Sequence, residues 1–185
     1  MGGSLTYKEI QEATKGRKHA NIKNFVETGT YKGDTTMLAA SHYEKVFTTE
    51  IYTERYEESK KRAEDAGVTN IEFMFGDSSE LLEIIAPQVT EGAVFFIDAH
   101  ISGKDSSWNG RDRVPLMKEL TVILKHNMGP SVFIINDLRF WSGKEQEAWD
   151  WSAISTENVV KLFVDNGYSL ASFYESNDRF FVLTN

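Results

Sequence analysis

The chain contains no cysteine, so neither a disulfide framework nor a thiolate metal site is open to it. Basic residues are in short supply: 20 Lys and Arg stand against 28 Asp and Glu, a net charge of -8. That balance argues against broad electrostatic binding to nucleic acid or to an anionic membrane surface. The small cluster Lys60-Lys61-Arg62 does not reverse it, because Glu57, Glu58 and Glu64 flank it at helical spacing. No apolar run approaches the roughly 20 residues that span a bilayer. Met1-Gly2-Gly3-Ser4 has neither a basic n-region nor an apolar h-region, so no signal peptide is expected and the expected setting is cytoplasmic. Internal repeats and low-complexity tracts are also missing. What remains is a globular composition, with enough of its 185 residues apolar to build one core.

The pattern along the chain is apolar run, turn, amphipathic segment, several times over. That alternation predicts a parallel sheet covered by helices on both faces. Thr6-Tyr7-Lys8-Glu9 is a capping-box pattern opening a short helix that Gly16 would stop. Strands are expected at Asn24–Glu27, Val46–Glu50, Ile71–Phe75, Ala93–Ile97 and Val132–Ile135. Helices are expected after the first glycine turn, over Glu54–Ala66, from Ser78 or Ser79 to Pro87, from Pro115 to about Lys125, and from a Thr156 cap to Gly167. The end of the chain breaks the alternation. Tyr168–Tyr174 and Arg179–Leu183 are separated only by Glu175–Asp178, too short for a parallel crossover, so an antiparallel hairpin is expected.

In open parallel sheets, ligands bind outside the carboxyl ends of the strands. Here those ends carry Glu27, Glu50, Asp77, Asp98 with His100, and Asn136 with Asp137. After Glu27 the chain runs Thr28-Gly29-Thr30-Tyr31-Lys32-Gly33 into a helix. Gly29 permits a sharp turn and the approach of a ligand without a Cβ in the way, and Gly33 lets the helix start close to the sheet. The same residues also make sense as a plain glycine turn. Glu50, at the end of the second strand, has the oxygens to accept from a ribose diol, or it is a surface strand-end glutamate. Asp77 and Ser78 follow Gly76 at the third strand end, where either residue could instead cap the next helix.

Together these segments resemble the class I S-adenosylmethionine-dependent methyltransferases. The resemblance rests on the acidic residue before G-x-x-x-G at Glu27–Gly33, the later acidic positions Glu50 and Asp77, and the terminal hairpin. Phe25–Thr30, Gly76-Asp77-Ser78, Asp98-Ala99-His100, Pro115-Leu116 and Glu119-Leu120 look like a small methyltransferase-like branch. It implies a single α/β domain over residues 1–185, a Rossmann-like methyltransferase fold with a mostly parallel seven-stranded sheet ending in an antiparallel hairpin. It also implies S-adenosylmethionine as cofactor, with the Glu27–Gly33 loop under the methionine part and Asp77 near the adenine amine. Asp98 is counted on both the cofactor and the acceptor side.

The ends of the fourth and fifth strands add a second constellation. Asp98, Asn136 and Asp137 are oxygen donors suited to Mg²⁺, and they resemble the metal site of catechol and macrolide-sugar O-methyltransferases, with the Asp-Asn pair in reversed order. His100 is a candidate general base or additional ligand, and Asp98 a candidate catalytic partner. Without a metal, the aspartates would cap turns and His100 would be an ordinary packed histidine. Ser102–Arg113 has the composition of a lid loop, and Trp141, Trp149 and Trp151 either stack on a ring substrate or pack the loop.

The expected activity is methylation of a hydroxyl on a small molecule or sugar. A nicotinamide oxidoreductase lacks the third close glycine of its fingerprint here, and a P-loop hydrolase lacks G-K-[ST]. A non-catalytic binding module keeping the fold is a further alternative. No substrate-capping domain is present, which makes a homodimer completing the pocket an expectation.

Overall fold

Apolar runs become strands of one sheet, and the amphipathic segments become helices on its two faces. The protein is described by a computed structural model covering residues 5–15, 17–100, 113–126, 128–143, 151, 152 and 154–185. In chain order the elements are α1 (Tyr7–Thr14), β1 (Asn24–Thr28), α2 (Asp34–Ala40), β2 (Lys45–Glu50), α3 (Thr53–Asp65), β3 (Ile71–Phe75), α4 (Ser78–Ile85), β4 (Ala93–Ile97), α5 (Leu116–Leu124), β5 (Val132–Ile135), α6 (Thr156–Asp165), β6 (Leu170–Ser176) and β7 (Arg179–Thr184). Among the described residues the sheet runs β3-β2-β1-β4-β5-β7-β6. β7 is antiparallel to β5 and β6, and the remaining neighbours pair in parallel. This is the Rossmann-like α/β architecture with a terminal hairpin that the sequence predicts.

Residues alternate across the sheet. Val26, Phe47, Phe95 and Phe133 face one layer with Leu82 of α4, Leu120 of α5 and Phe163 of α6. Phe25, Val46, Val94 and Phe96 face the other with Ile10 of α1 and Ala39 of α2. Phe95 and Phe133 stack with ring centroids 4.7 Å apart. Both rings are fully buried, and such burial contributes roughly 1.5–3 kcal/mol per side chain. β4 is buried along its whole length, as its continuous apolar run predicts. The chain turns one way from β1 through β2 to β3 and the other way from β4 to β5. The switch point therefore lies between β1 and β4, where ligand crevices form.

Several boundaries differ from the sequence reading, each for a local reason. Of the caps the sequence allows for α4, Asp77 is the one used, its carboxylate accepting from the Ser79 N–H at 3.0 Å. Ser155, not Thr156, caps α6 through the Asn158 N–H at 3.1 Å. In both helices the capping residue is the one with extended backbone. The α1 capping box forms between Thr6 and Glu9, while Gly16 lies outside the described residues. The hairpin turn is tighter than expected. β6 runs on to Ser176, and Asn177 and Asp178 have φ of 50° and 63°, the two left-handed central residues of a type I′ turn.

Candidate active site

The strand ends at the switch point are zipped together by backbone bonds. The Gly29 and Thr30 N–H groups both donate to the Thr49 carbonyl at 3.0 Å, and the Asp98 N–H donates to the Thr28 carbonyl at 3.2 Å. Gly29 has φ +82°, and a Cβ there would lie 2.8 Å from the Asp98 carbonyl oxygen. The glycine is thus required by the β4 strand end as well as by the turn. Gly33, φ +76°, is the N-cap of α2. Its Cβ would meet Ser59 of α3 at 3.2 Å, so its smallness serves helix–helix approach rather than approach to the sheet. Thr28 and Thr30 are buried in the same turn.

Glu27, 1% exposed, lies beneath this loop. One carboxylate oxygen accepts from the Thr48 hydroxyl at 2.7 Å and from the Thr36 hydroxyl of α2. Burial raises its carboxyl to about 7; the threonine hydroxyls pull it down and the Glu50 charge adds to the rise. Glu50 accepts from the Tyr31 N–H at 2.7 Å, the Tyr52 N–H at 2.8 Å and the Ile51 N–H at 2.9 Å. A carboxylate offers about four acceptor directions, so this residue clamps the glycine loop to the β2 end and keeps little capacity for a diol. Burial raises Glu50, against the pull of those N–H groups and Arg55. Asp77 both caps α4 and accepts from the Ser79 hydroxyl at 2.5 Å, with Ser78 buried next to it. Glu27, Glu50 and Asp77 therefore share one rim, at the ends of the adjacent strands β1, β2 and β3.

Beside that rim, past β4 and β5, is a pocket lined by Asp98, His100, Leu116, Glu119, Asn136 and Trp151, among others. His100 Nε2 lies 3.1 Å from Asp137 Oδ2, and Nδ1 lies 3.7 Å from Asp98 Oδ1. The ring packs edge-on against Trp151 at 5.2 Å. Asn136 donates its amide N–H to Asp98 Oδ1 at 3.0 Å. Burial, with the Asp137 charge next, pushes the Asp98 carboxyl well above its ordinary range, while the Asn136 bond pulls against this.

Asp98, His100 and Asp137 each offer a donor atom within 4.8 Å of one another. That mixed oxygen–nitrogen set fits a divalent cation. In this geometry Asn136 turns a donor, not its oxygen, toward Asp98, and Asp137 also accepts from Arg139 Nη1 at 2.6 Å. Two groups escape the sequence reading, one lining the pocket and one behind Asp137. Glu119 is fully buried; its signal was a charge at the position between Leu116 and Leu120 on the apolar stripe of α5. Arg139 gives no such local signal. Trp141 and Trp151 are buried and pack the domain, while Trp149 and Ser102–Asp112 lie outside the described residues. Lys60–Arg62 forms a solvated helix face, with Lys61 paired to Asp65 at 2.8 Å.

No family model matches the chain, and no curated protein matches it. Solved structures do. A SAM-dependent methyltransferase from Aquifex aeolicus superposes with TM-score 0.60 at 15% identity, over 96% of this chain and 87% of that one. The O-methyltransferase TomG from Streptomyces achromogenes, solved with SAM, gives 0.61 at 13% over 98% and 81%. A SAM-dependent methyltransferase from Clostridium acetobutylicum gives 0.61 at 12% over 98% and 92%. The fold is that of the class I methyltransferases. In a methyltransferase fold of this sheet order, the β1–β2–β3 rim and the β4–β5 pocket lie on the two sides of the switch point, as they do here.

Proposed function

We propose that the chain is an S-adenosylmethionine-dependent methyltransferase acting on a hydroxyl of a small molecule or sugar. The observation that carries this reading is the contact of Gly29 with the Asp98 carbonyl, which sets a glycine turn of methyltransferase type directly against a pocket holding a histidine. S-adenosylmethionine, when bound, supplies an electrophilic methyl group on a sulfonium. Thr28, Gly29, Thr30 and Gly33 would form the floor under its methionine part, with the buried Glu27 carboxyl below them. Glu50 and Asp77 border the ribose and adenine ends. Glu50 acts chiefly by holding the loop, since its oxygens are already taken by three N–H groups.

On the acceptor side, His100 donates Nε2–H to Asp137 and takes the acceptor's hydroxyl proton at Nδ1. The bound donor would supply its methyl group to that oxygen, the S–C bond giving way to the C–O bond. The products are a methyl ether, S-adenosylhomocysteine and a proton held on His100. Asp98 and Asp137 flank the imidazolium that results. A divalent cation such as Mg²⁺, if used, would be held by Asp98, Asp137 and His100, with Asn136 adjoining, and would supply Lewis-acid polarisation of the hydroxyl. No helix among the described residues is long and apolar enough to cross a membrane. The reading places the protein in the cytoplasm, without a nucleic-acid or membrane partner, and with a homodimer covering the pocket mouth; sedimentation tests the last point.

The test is formation of S-adenosylhomocysteine with a panel of catechols and sugars, with and without Mg²⁺. Turnover lost in His100→Ala supports the reading. Absence of turnover on the whole panel, alongside intact cofactor binding, points instead to a binding module.

A further inference from the structure

We propose that Arg139 is a positioning residue, acting through Asp137 to set the orientation and proton placement of His100. The inference rests on reading His100 as the active group of this pocket. Arg139 is not among the residues lining the pocket, and its guanidinium is committed elsewhere. Nη1 reaches Asp137 Oδ1 at 2.6 Å and also Asp178 Oδ2. Its backbone N–H donates to Asp178 Oδ1 at 2.7 Å, and its cation lies 4.2 Å over the Phe140 ring. One arginine therefore joins the end of β5 to the turn between β6 and β7.

The far end of this link is itself anchored. Asp178, at φ 63°, accepts the Leu138 N–H through its carbonyl at 3.0 Å. The next residue, Arg179, is 2% exposed and pairs with Glu9 of the α1 capping box at 2.6 Å. The hairpin turn is held to α1, and Arg139 is held to the turn.

The consequence falls on Asp137. Its side chain is 5% exposed and sits on a residue with φ 60°, so its direction is set by its partners. With Oδ1 taken by Arg139, Oδ2 faces His100 Nε2. A carboxylate accepts and does not donate, so a neutral His100 must carry its proton on Nε2, and Nδ1 becomes the basic nitrogen. Without Arg139, the carboxylates of Asp137 and Asp178 lose the guanidinium that ties them together. The Asp137 carboxylate, no longer held at Oδ1, is free to turn, and that turn removes the constraint on the imidazole.

The experiment reads this without needing an acceptor. Imidazole ¹⁵N–¹H correlation spectra of the full chain, at one fixed neutral pH, report the tautomer of each histidine, and His100→Gln assigns the signal. The wild type is expected to show the Nε2–H tautomer. Arg139→Met is expected to move the His100 signal away from it, and Arg139→Lys to retain it in part, since one ammonium cannot span both carboxylates as the guanidinium does. If Arg139→Met fails to fold, Asp178→Ala provides the same reading by loosening the clamp from its other end. A His100 signal unchanged in these variants would overturn the proposal and leave Arg139 a structural ion pair. With an acceptor in hand, kcat is expected to fall about 10- to 100-fold in Arg139→Met, while KM for the methyl donor holds. Calorimetry with S-adenosylhomocysteine runs alongside: no binding to the wild type sinks the methyltransferase reading and leaves the tautomer result standing on its own.

Discussion

Gly29 and Asp98 touch through their backbones, and a single added methyl group on Gly29 would lie 2.8 Å from the Asp98 carbonyl oxygen. The glycine turn and the β4 strand end beside the pocket are thus one packed unit. Gly29→Ala must bear both the left-handed φ of +82° and this contact. Strain of that kind costs on the order of 1–3 kcal/mol. Chemical denaturation is expected to show that loss, and affinity for S-adenosylhomocysteine is expected to fall with it. An alanine variant of wild-type stability would contradict the packing described.

Glu27 makes the protein's stability depend on pH. Its folded-state carboxyl, raised to about 7 by burial, holds a proton that the unfolded chain releases near its ordinary 4.5. The folded state therefore binds more protons in this window. Its stabilisation from Glu27 is complete below about 4.5 and is lost as pH rises through about 7. The size is on the order of 3 kcal/mol for a shift of this extent. Glu27→Gln is expected to flatten the decline between pH 5 and 8 in denaturation curves. A parallel decline in the variant would assign the effect to another group.

Glu50 is expected to matter more for loop geometry than for direct ligand contact. Glu50→Ala leaves the N–H groups of Tyr31, Ile51 and Tyr52 without their acceptor. The destabilisation should be about 1–3 kcal/mol, with weakened cofactor affinity. Glu50→Gln can replace only part of this acceptor set. An alanine variant that binds S-adenosylhomocysteine normally would show that the clamp is dispensable.

In the proposed reaction, His100 serves the proton transfer and Asp98 the cation. His100→Ala is expected to retain S-adenosylhomocysteine affinity and lose turnover by 10²–10⁴-fold, the usual range for a general base. If turnover depends on Mg²⁺, Asp98→Ala should remove that dependence. Unchanged Mg²⁺ stimulation in the variant would place the cation away from Asp98, His100 and Asp137.

Much of this was legible in the sequence because it is local. A strand, a glycine turn and a helix follow one another within Asn24–Ala40, and each parallel strand except the last is a short run closed by a carboxylate. The hairpin followed from a gap too short for a crossover. The α6 cap was misplaced by one residue and the α4 cap left open among Asp77, Ser78 and Ser79, because neighbouring Ser, Thr and Asp share the same chemistry and only backbone angles decide between them. The Arg139–Asp178 link was invisible, because it depends on a turn 39 residues away coming back beside β5. The three-residue set Asp98, His100 and Asp137 was readable as a group, but which atoms face one another was not.

The central claim is that the rim over Glu27, Glu50 and Asp77 binds S-adenosylmethionine. Isothermal titration of the intact chain with S-adenosylhomocysteine, with NAD as the control ligand, tests it most directly. Saturable, submillimolar binding of S-adenosylhomocysteine that is weakened by Glu50→Ala is the expected result. Binding of NAD with no heat from S-adenosylhomocysteine would contradict the account.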